Sequence, residues 1–333
     1  MSIRTVITGT GRYLPPKVVS NFDLEKIMNT TDDWIVQRSG IRTRRYAEDG
    51  VGSMTLGLEA AKAALEDARC APADIDFIIA ATLSPDHYFP GIGVEIQAAL
   101  GCGPIGALDV RAQCSGFIYA LSVADQFIRA GTYKKILVVA SEVQSHNLDY
   151  SDAGRDMAVL FGDGAGAVVC EPSTNGSGHA LLSTHLFGDG RFAKILSLDV
   201  PSSKKNPTFT PEIFDQKLYY PRMDGKRVFV NAVERMPEAV RAALAANGLT
   251  IDDVRWLIPH QANDRISLMV AQNLKIPVEK VVRNIEKYGN TTAASIPIAL
   301  DETVKAGLLK ADDIVILTAF GSGFTWASAA LRW

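Results

Sequence analysis

Short apolar runs alternate along the chain with longer segments in which apolar residues recur at helical spacing. Five runs have the length and composition of buried strands, at 75–83, 136–141, 165–170, 256–259 and 314–319. Five other segments have helical periodicity, at 54–69, 116–130, 228–247, 266–274 and 295–306. Strands that alternate with helices are typical of α/β proteins, so the pattern predicts mostly parallel, buried sheets.

The segment from 188 to 222 interrupts this alternation. It contains four prolines separated by Ser, Lys and Asn residues, and it has neither helical nor strand periodicity. We expect a long surface loop or a pair of excursions, and loops of that length in enzymes are usually functional. A turn-rich stretch at 172–176 predicts a division of the chain near residue 175, although no fixed-period repeat is visible.

Length, composition and net charge exclude several classes of function. The 333 residues include 34 Lys+Arg and 37 Asp+Glu, a net charge of −3, and 47% are hydrophobic. A chain of this length buries roughly 75% of its unfolded surface, so a large core is available. The near-neutral charge argues against a nucleic-acid or membrane-surface partner, because both usually require a basic surplus. No apolar run approaches the ~18 residues of a membrane span, and no signal peptide is recognisable.

The four cysteines, at 70, 102, 114 and 170, form no CxxC and have no His at zinc-ligand spacing. We therefore expect a reducing cytoplasmic location and no metal site. Cys114 differs from the other three because it follows a short apolar stretch and directly precedes the helical pattern at 116–130. A helix N-terminus favours the thiolate, lowers the cysteine pKa and so activates a nucleophile. The alternative is a small buried residue at a strand–helix junction.

Two further segments could carry chemistry. His260 directly follows the strand predicted at 256–259, and active sites of α/β proteins lie at the carboxyl ends of strands. A hydrogen-bonded structural histidine would explain it equally well. Asn290 lies in a Gly-Asn-Thr sequence before the helix predicted at 295–306. It could be a turn and helix cap, or an amide donor to a developing oxyanion.

Two glycine-rich stretches complete the set. The stretch at 161–166 leads into a strand, whereas a dinucleotide-binding fingerprint leads from a strand into a helix. Close backbone packing is the better interpretation. The stretch at 320–326 follows the strand predicted at 314–319, and its glycines could let backbone amides approach a substrate carbonyl.

Together these segments resemble β-ketoacyl-acyl-carrier-protein synthase III, a family of the thiolase-like condensing-enzyme superfamily. The resemblance extends over nearly the whole chain and rests on motifs in the family's order, at 9–15, 33–42, 109–117, 162–166, 260–263, 289–291 and 321–326. It implies an α/β fold of five layers, αβαβα, built from two similar halves. With the turn at 172–176 these are residues 1–175, carrying the nucleophilic cysteine, and residues 176–333. The resemblance also implies a homodimer.

The chemistry implied by the resemblance has two steps and initiates fatty-acid synthesis. Cys114 accepts an acyl group from acyl-CoA, and His260 and Asn290 bind a malonyl thioester and stabilise its enolate during decarboxylation. The backbone N–H groups of Cys114 and Ser322 form the oxyanion hole. No metal or bound cofactor is required, because acyl-CoA and the malonyl thioester are the substrates.

The resemblance also implies binding residues. Without it, Trp34 would be interpreted as a half-buried aromatic, the arginines as solvated side chains and Phe89 as a loop anchor. The CoA-binding residues are Trp34 on the adenine, Arg38 and Arg155 on the nucleotide and its phosphates, and Asn263 on the pantetheine arm. Phe89 reaches into the partner subunit's acyl pocket, and Arg265 belongs to a basic patch that docks acyl carrier protein.

Several positions depart from the family pattern. Gln113 and Ser115 flank the cysteine where alanines are common, and Ser322 replaces a glycine. These changes keep the backbone donors but leave the pocket shape open. Val230 and Gln272 stand where familiar relatives carry lysines. The acyl chain and the choice between malonyl-carrier protein and malonyl-CoA therefore remain open, and a synthase III of secondary metabolism is an alternative.

Other functions fit the sequence less well. A biosynthetic thiolase needs a second cysteine near the C-terminus, and no cysteine follows Cys170. Elongating synthases carry a second histidine where this chain has Asn290. From other classes, a Cys-His-Asn hydrolase lacks its flanking signature. A non-catalytic acyl-CoA-binding protein would not need the thiol of Cys114.

Overall fold

The computed structural model describes residues 3–173 and 178–333, called here the N-terminal and C-terminal parts. The boundary expected at residue 175 lies outside the described residues. The strands are β1 (Thr5–Tyr13), β2 (Lys17–Ser20), β3 (Thr43–Tyr46), β4 (Phe77–Ala81), β5 (Gly106–Val110), β6 (Ile136–Glu142), β7 (Gly164–Pro172), β8 (Ala180–Gly188), β9 (Leu196–Ser197), β10 (Arg222–Met223), β11 (Val254–Pro259), β12 (Ile314–Gly321) and β13 (Thr325–Arg332).

The helices are α1 (Asn21–Glu25), α2 (Asp32–Ser39), α3 (Ser53–Asp67), α4 (Ile92–Leu100), α5 (Gly116–Arg129), α6 (Arg155–Ala158), α7 (Pro211–Asp215), α8 (Gly225–Ala246), α9 (Asp264–Leu274), α10 (Ile285–Tyr288) and α11 (Ser295–Lys305). They include the five that were predicted from periodicity, namely α3, α5, α8, α9 and α11.

Nine strands form one mixed sheet in the order β11-β12-β13-β8-β1-β7-β6-β4-β5. The expectation of a mostly parallel sheet is wrong. Parallel pairs occur at its two ends, where β4 pairs with β5 and β6, and β11 pairs with β12. The central pairs are antiparallel. Strands joined through a helix can be parallel, whereas a short turn such as the one between β12 and β13 forces an antiparallel pair.

Helices cover the strands in five layers. Helices α5 and α11 lie in the middle, and α5 packs on β4 and β6 as well as on β8 and β13. Helix α3 packs on the outer face of β1, β6 and β7, and α8 packs on the outer face of β8, β12 and β13. The central layer is apolar on both sides because it is buried between strands of the two parts. The α/β fold class is confirmed.

Strand β1 was not predicted, because its glycines interrupt the apolar pattern. Those glycines are required by the packing of α3. A Cβ on Gly9 would lie 2.5 Å from the carbonyl oxygen of Ala64, and one on Gly11 would lie 2.3 Å from the amide nitrogen of Ala64. A side chain at either position would push helix and strand apart.

The segment at 188–222 is largely exposed, as expected, and it carries short elements. Strands β9 and β10 close it as a small antiparallel ribbon, and α7 lies between them. Lys217 joins this segment to the rest of the protein through an ion pair with Asp149 at 3.1 Å. The ribbon places Leu196, Ser197 and Met223 against the main cavity.

None of the helices in residues 3–173 and 178–333 combines the length and the apolar character that crossing a bilayer requires.

Candidate active site

A cavity of about 1460 Å³ lies where the two parts of the chain meet, and it collects nearly all of the predicted site residues. Those that line it are Cys114, His260, Asn290, Ser322, Trp34, Arg38, Arg155, Asn263 and Arg265. Residues from both parts of the chain therefore share one site. Phe89 is not among the described residues that line the cavity.

Cys114 lies in a single 3-10 turn, Gln113–Ser115, that leads directly into α5. The hydroxyl of Ser115 anchors the turn by donating to the Thr325 carbonyl at 3.1 Å. Gln113 has a φ of 45°, a left-handed conformation that an L-residue adopts at some cost. The turn at the end of β5 thus presents the thiol at the cavity wall, with Cys114 8% exposed.

The thiol of Cys114 is protonated in the resting protein. Burial raises its pKa to about 12, and the nearby carboxylate of Glu142 acts in the same direction. The expected lowering of this pKa is not found, because burial desolvates the thiolate. A raised pKa favours loss of the proton as the sulfur attacks rather than beforehand.

His260 follows β11, and its ring is held from behind. Its backbone N–H donates to the Thr318 carbonyl at 2.8 Å, and its Nδ1 lies 2.7 Å from the hydroxyl of Ser295. That hydroxyl oxygen also accepts from the N–H of Gln261 at 3.3 Å, so we assign its proton to the bond with Nδ1. The tautomer that results carries its proton on Nε2.

The imidazole of His260 is neutral. Burial lowers its pKa to about 3, because the charged form would lose its hydration. Since the pKa is lowered, protonation occurs only as the pH falls towards 3. The Nε2–H group therefore remains a neutral donor throughout the physiological range.

Asn290 is oriented by its own turn. Its Oδ1 accepts from the N–H of Thr292 at 2.9 Å, which leaves the amide NH₂ as the free end of the side chain. Its backbone is held from both sides, by Leu160 at 2.8 Å and Gly162 at 3.1 Å. The oxygen closes the turn, as the cap interpretation expects, and the nitrogen stays available, which is compatible with the donor interpretation.

Gly321 allows the backbone at the end of β12 to approach Cys114 closely, where the candidate oxyanion hole lies. A Cβ on Gly321 would lie 2.9 Å from the backbone nitrogen of Cys114 and 3.1 Å from its Cβ. This contact places the following residue, Ser322, beside the nucleophile. The side chain of Ser322 turns away and donates to the Leu196 carbonyl, so a serine fits where only the backbone N–H is needed.

The predicted nucleotide-binding residues form one cluster. The guanidinium groups of Arg38 and Arg155 lie 4.3 and 4.6 Å from the ring centroid of Trp34, which is half-buried. The amide of Asn263 donates to the Arg38 carbonyl at 2.8 Å, and its oxygen caps α9 at Arg265 N–H. An aromatic face with two cations beside it suits a base and its phosphates.

The last two predicted residues are exposed. Phe89 is 82% exposed beside Tyr88. Arg265 lies at the start of α9, where its guanidinium is 5.6 Å from the ring centroid of Phe229. Both side chains are accessible to another macromolecule.

Two buried residues that contact the elements of this site, Ser295 and Glu142, were not predicted. In the sequence, Ser295 has the pattern of an ordinary helix start, and Glu142 has the pattern of the polar end of an apolar strand. Each contacts a residue far away in the sequence, so no local signal could have identified it. Within the described ranges, no group of three or more His, Cys, Asp or Glu side chains could hold a metal ion.

Comparison with known proteins places these features in a family. Models of 3-oxoacyl-[acyl-carrier-protein (ACP)] synthase III match residues 108–199, and models of its C-terminal region match 244–333. β-Ketoacyl-[acyl-carrier-protein] synthase III of Rhodospirillum centenum is 45% identical over 335 residues, covering 100% of both chains.

Solved structures agree with this assignment. The 3-oxoacyl-[acyl-carrier-protein] synthase III of Aquifex aeolicus VF5 has a TM-score of 0.90 at 43% identity and covers 99% of this chain and 100% of its own. The priming β-ketosynthase of the R1128 polyketide pathway has a TM-score of 0.90 at 35% identity and covers 99% and 96%. The chain therefore belongs to the β-ketoacyl-acyl-carrier-protein synthase III family and is an acyltransferase of the condensing type.

Proposed function

We propose that this protein joins an acyl group from acyl-CoA to a malonyl thioester and so starts fatty-acid synthesis. The observation that carries the proposal is the meeting, in one cavity, of the Cys114 thiol with two oriented donors, His260 Nε2–H and the Asn290 amide. A hydrolase would also have to activate a water. A binding protein would need none of the three groups.

In the first half-reaction the sulfur of Cys114 attacks the acyl-CoA carbonyl. The backbone N–H groups of Cys114 and Ser322 stabilise the tetrahedral oxyanion, and CoA leaves. The proton of the thiol ends on the sulfur of CoA, so the step is a balanced thioester exchange. A buried, protonated thiol suits this step, because it does not react with solutes before the substrate excludes water.

In the second half-reaction His260 and Asn290 donate to the carbonyl oxygen of the malonyl thioester. As carbon dioxide leaves, charge develops on that oxygen, and fixed donors in a dry site stabilise it strongly. The enolate carbon then attacks the acyl thioester on Cys114 and releases the β-ketoacyl thioester. The cysteine takes up a proton, and the cycle uses no bound cofactor.

Substrate binding follows from the same cavity. Trp34, Arg38 and Arg155 hold the adenine and phosphates of CoA, and Asn263 holds the pantetheine arm. Arg38 and Arg155 both lie against the indole, at 4.3 and 4.6 Å, so at least one of them must move to admit the base. Arg265 lies at the mouth and docks an acidic carrier protein, supported by the exposed neighbours Lys226 and Arg227.

The assembly we propose is a homodimer in the cytoplasm. Strand β5 is an edge strand with Leu108 38% exposed, and Phe89 projects nearby, as a residue directed into a partner's acyl pocket would.

Four free cysteines support a reducing compartment. We also propose the division into residues 1–175 and 176–333, supported by the contribution of Cys114 from one side and of His260 and Asn290 from the other.

The test is self-acylation followed by condensation. With acyl-CoAs from acetyl to decanoyl, intact-mass spectrometry should show one acyl adduct on Cys114 and release of free CoA. Replacing His260 or Asn290 by Ala should impair malonyl decarboxylation much more than self-acylation, because both donors act on the second substrate. No adduct with any chain would refute the nucleophile assignment.

The products identify the acceptor and the pathway. Malonyl-carrier protein and malonyl-CoA are offered in parallel to the wild type and to Arg265→Glu, which should lose activity only with the carrier-bound donor. Equal activity with both donors would place docking elsewhere. A product other than a simple β-ketoacyl thioester would favour secondary metabolism.

A further inference from the structure

Glu142 is a buried carboxylate beneath the active site that the two half-reactions do not use. It ends β6, has 0% exposure, and forms no ion pair among the described residues. Burying an unpaired charge is costly unless hydrogen bonds replace its hydration.

Every group that contacts this carboxylate is a donor. The closest is the hydroxyl of Ser84 at 2.6 Å. The others are the side-chain amide of Gln144 at 3.1 Å, the backbone N–H of Leu83 at 3.2 Å, and two at 3.4 Å, the hydroxyl of Thr82 and the backbone N–H of Ala293. All five groups can donate to its oxygens, so this carboxylate is well hydrogen-bonded although it is buried.

The directions of the two hydroxyl protons follow from their other partners. The oxygen of Ser84 accepts from the N–H of Val143 at 3.0 Å, and the oxygen of Thr82 accepts from the N–H of Ser84 at 3.1 Å. Each hydroxyl therefore has its proton free for Glu142. Burial raises the pKa of Glu142 above its usual value, and the donors, among them the side chains of Ser84 and Thr292, offset this rise only in part.

One of the five donors comes from the other part of the chain. Ala293 belongs to the 3-10 turn Thr292–Ala294, which directly follows Asn290. The first residue of that turn, Thr292, donates its N–H to the side-chain oxygen of Asn290 and so aims the amide. Thr292 has a φ of 47°, a strained conformation for a β-branched residue. The turn needs an external anchor, and Glu142 contacts it at Ala293.

We propose that Glu142 is a positioning residue that anchors the 292–294 turn, and thereby directs the Asn290 amide at the malonyl thioester. Its carboxylate also contributes to the raised pKa of the Cys114 thiol, so Glu142 acts on one group from each part of the chain. The proposal goes beyond the proposed function, and it is tested by measuring the two half-reactions of that function separately.

The test is Glu142→Gln, which keeps the size of the side chain but replaces one acceptor oxygen by a donor. Malonyl decarboxylation should fall about 10²-fold, the cost of a misplaced catalytic group, whereas self-acylation should change much less. The pH profile for alkylation of Cys114 by iodoacetamide should shift to lower pH, because the carboxylate that helps to raise the pKa of the thiol is gone. The other ionisable groups of the cavity wall, including His260 and Arg111, are the same in both proteins.

Two further variants keep the result interpretable. Asp125→Asn removes another buried carboxylate, bonded to Gln126 and Arg129 within α5, and controls for general destabilisation. It should not separate the half-reactions. If Glu142→Gln does not fold, Glu142→Asp keeps the charge but withdraws it from Ala293, and should slow decarboxylation without moving the alkylation profile.

The outcomes are distinct. Wild-type acylation and decarboxylation establish the proposed function by themselves. Equal loss of both half-reactions in the Glu142 variants, or a decarboxylation rate equal to wild type, would overturn the positioning role.

Discussion

At the scale of single residues, the reactivity of this site depends on where protons lie. Cys114 holds its proton because the thiolate would be desolvated, and His260 lacks a second proton for the same reason. Neutral groups of this kind do not attract or repel the malonyl carboxylate before reaction. They act when charge develops, which is the condition for lowering a barrier rather than merely binding substrate.

Ser295 sets the His260 tautomer, and its removal should therefore affect the second half-reaction. In Ser295→Ala the imidazole can carry its proton on either nitrogen, so we expect decarboxylation to slow by about 10- to 100-fold, as when other orienting partners of histidine are lost. Self-acylation should be nearly unchanged. Ser295→Thr, which keeps a hydroxyl, should restore part of the rate.

The matched control is Ser328→Ala. It removes another buried hydroxyl, bonded to the Ala239 carbonyl at 2.6 Å in the outer layer. A decarboxylation rate in Ser295→Ala no lower than in this control would contradict the tautomer assignment.

At the scale of elements, the site depends on turns at the ends of strands. The turn after β5 presents Cys114, the connection after β11 presents His260, and the hairpin between β12 and β13 presents Ser322. Strands of one sheet hold these ends in a fixed relation, so short turns can position groups without long side chains. The hairpin approaches Cys114 most closely, and it can do so because residue 321 has no side chain.

Gly321→Ala should separate the hairpin from the nucleophile. The added methyl would lie 2.9 Å from the Cys114 nitrogen, closer than any real contact, so the backbone must shift. We expect self-acylation to slow by about 10²- to 10³-fold, the usual cost of losing an oxyanion-hole donor. The rate is followed by intact-mass spectrometry, with circular dichroism to confirm folding.

Gly188→Ala is the control for this substitution. It lies in the neighbouring strand β8, paired with Thr325, and an added Cβ would meet its nearest atom at an ordinary 3.6 Å. It should retain wild-type acylation. A Gly321→Ala protein that acylates as fast as this control would remove Ser322 from the oxyanion hole.

At the scale of the whole molecule, the edge of the sheet formed by β5 is open. Strand β5 pairs with β4 on one side, and its other side has no partner strand within the described residues. Asp109 of this strand accepts the N–H groups of Ile92 and Gly93 and so ties the start of α4, close to Phe89, to the same edge. An exposed edge with apolar side chains is usually covered by another chain.

Leu108→Lys should therefore weaken the proposed dimer. A charged side chain at the centre of a strand-to-strand interface would be buried without a partner, so sedimentation should shift towards the 35.9 kDa monomer. Condensation should fall in parallel, since each site would lose the partner's Phe89. Leu308→Lys replaces a leucine of similar exposure away from this edge and should remain dimeric. A wild-type protein that sediments as a monomer would contradict the dimer.

Much of this protein could be predicted from local sequence. Apolar runs identified the buried strands β4, β6, β7, β11 and β12, and periodicity identified the long helices, because both patterns record burial on one face or on all sides. The positions of Cys114, His260 and Asn290 at strand and helix ends were also visible. Strand β1 could not be predicted, since its glycines are required by the close packing of a helix about fifty residues further along the chain.

The sequence by itself determined which chemical groups are present and which elements carry them. Only the tertiary structure decided how they act: that the sheet is mixed, that Cys114 keeps its proton, and that His260 and Asn290 turn their donors towards the cavity. The reason is physical. These properties depend on desolvation and on hydrogen bonds between distant residues, such as His260 with Ser295 and Glu142 with Ala293, which exist only once the two parts of the chain are packed together.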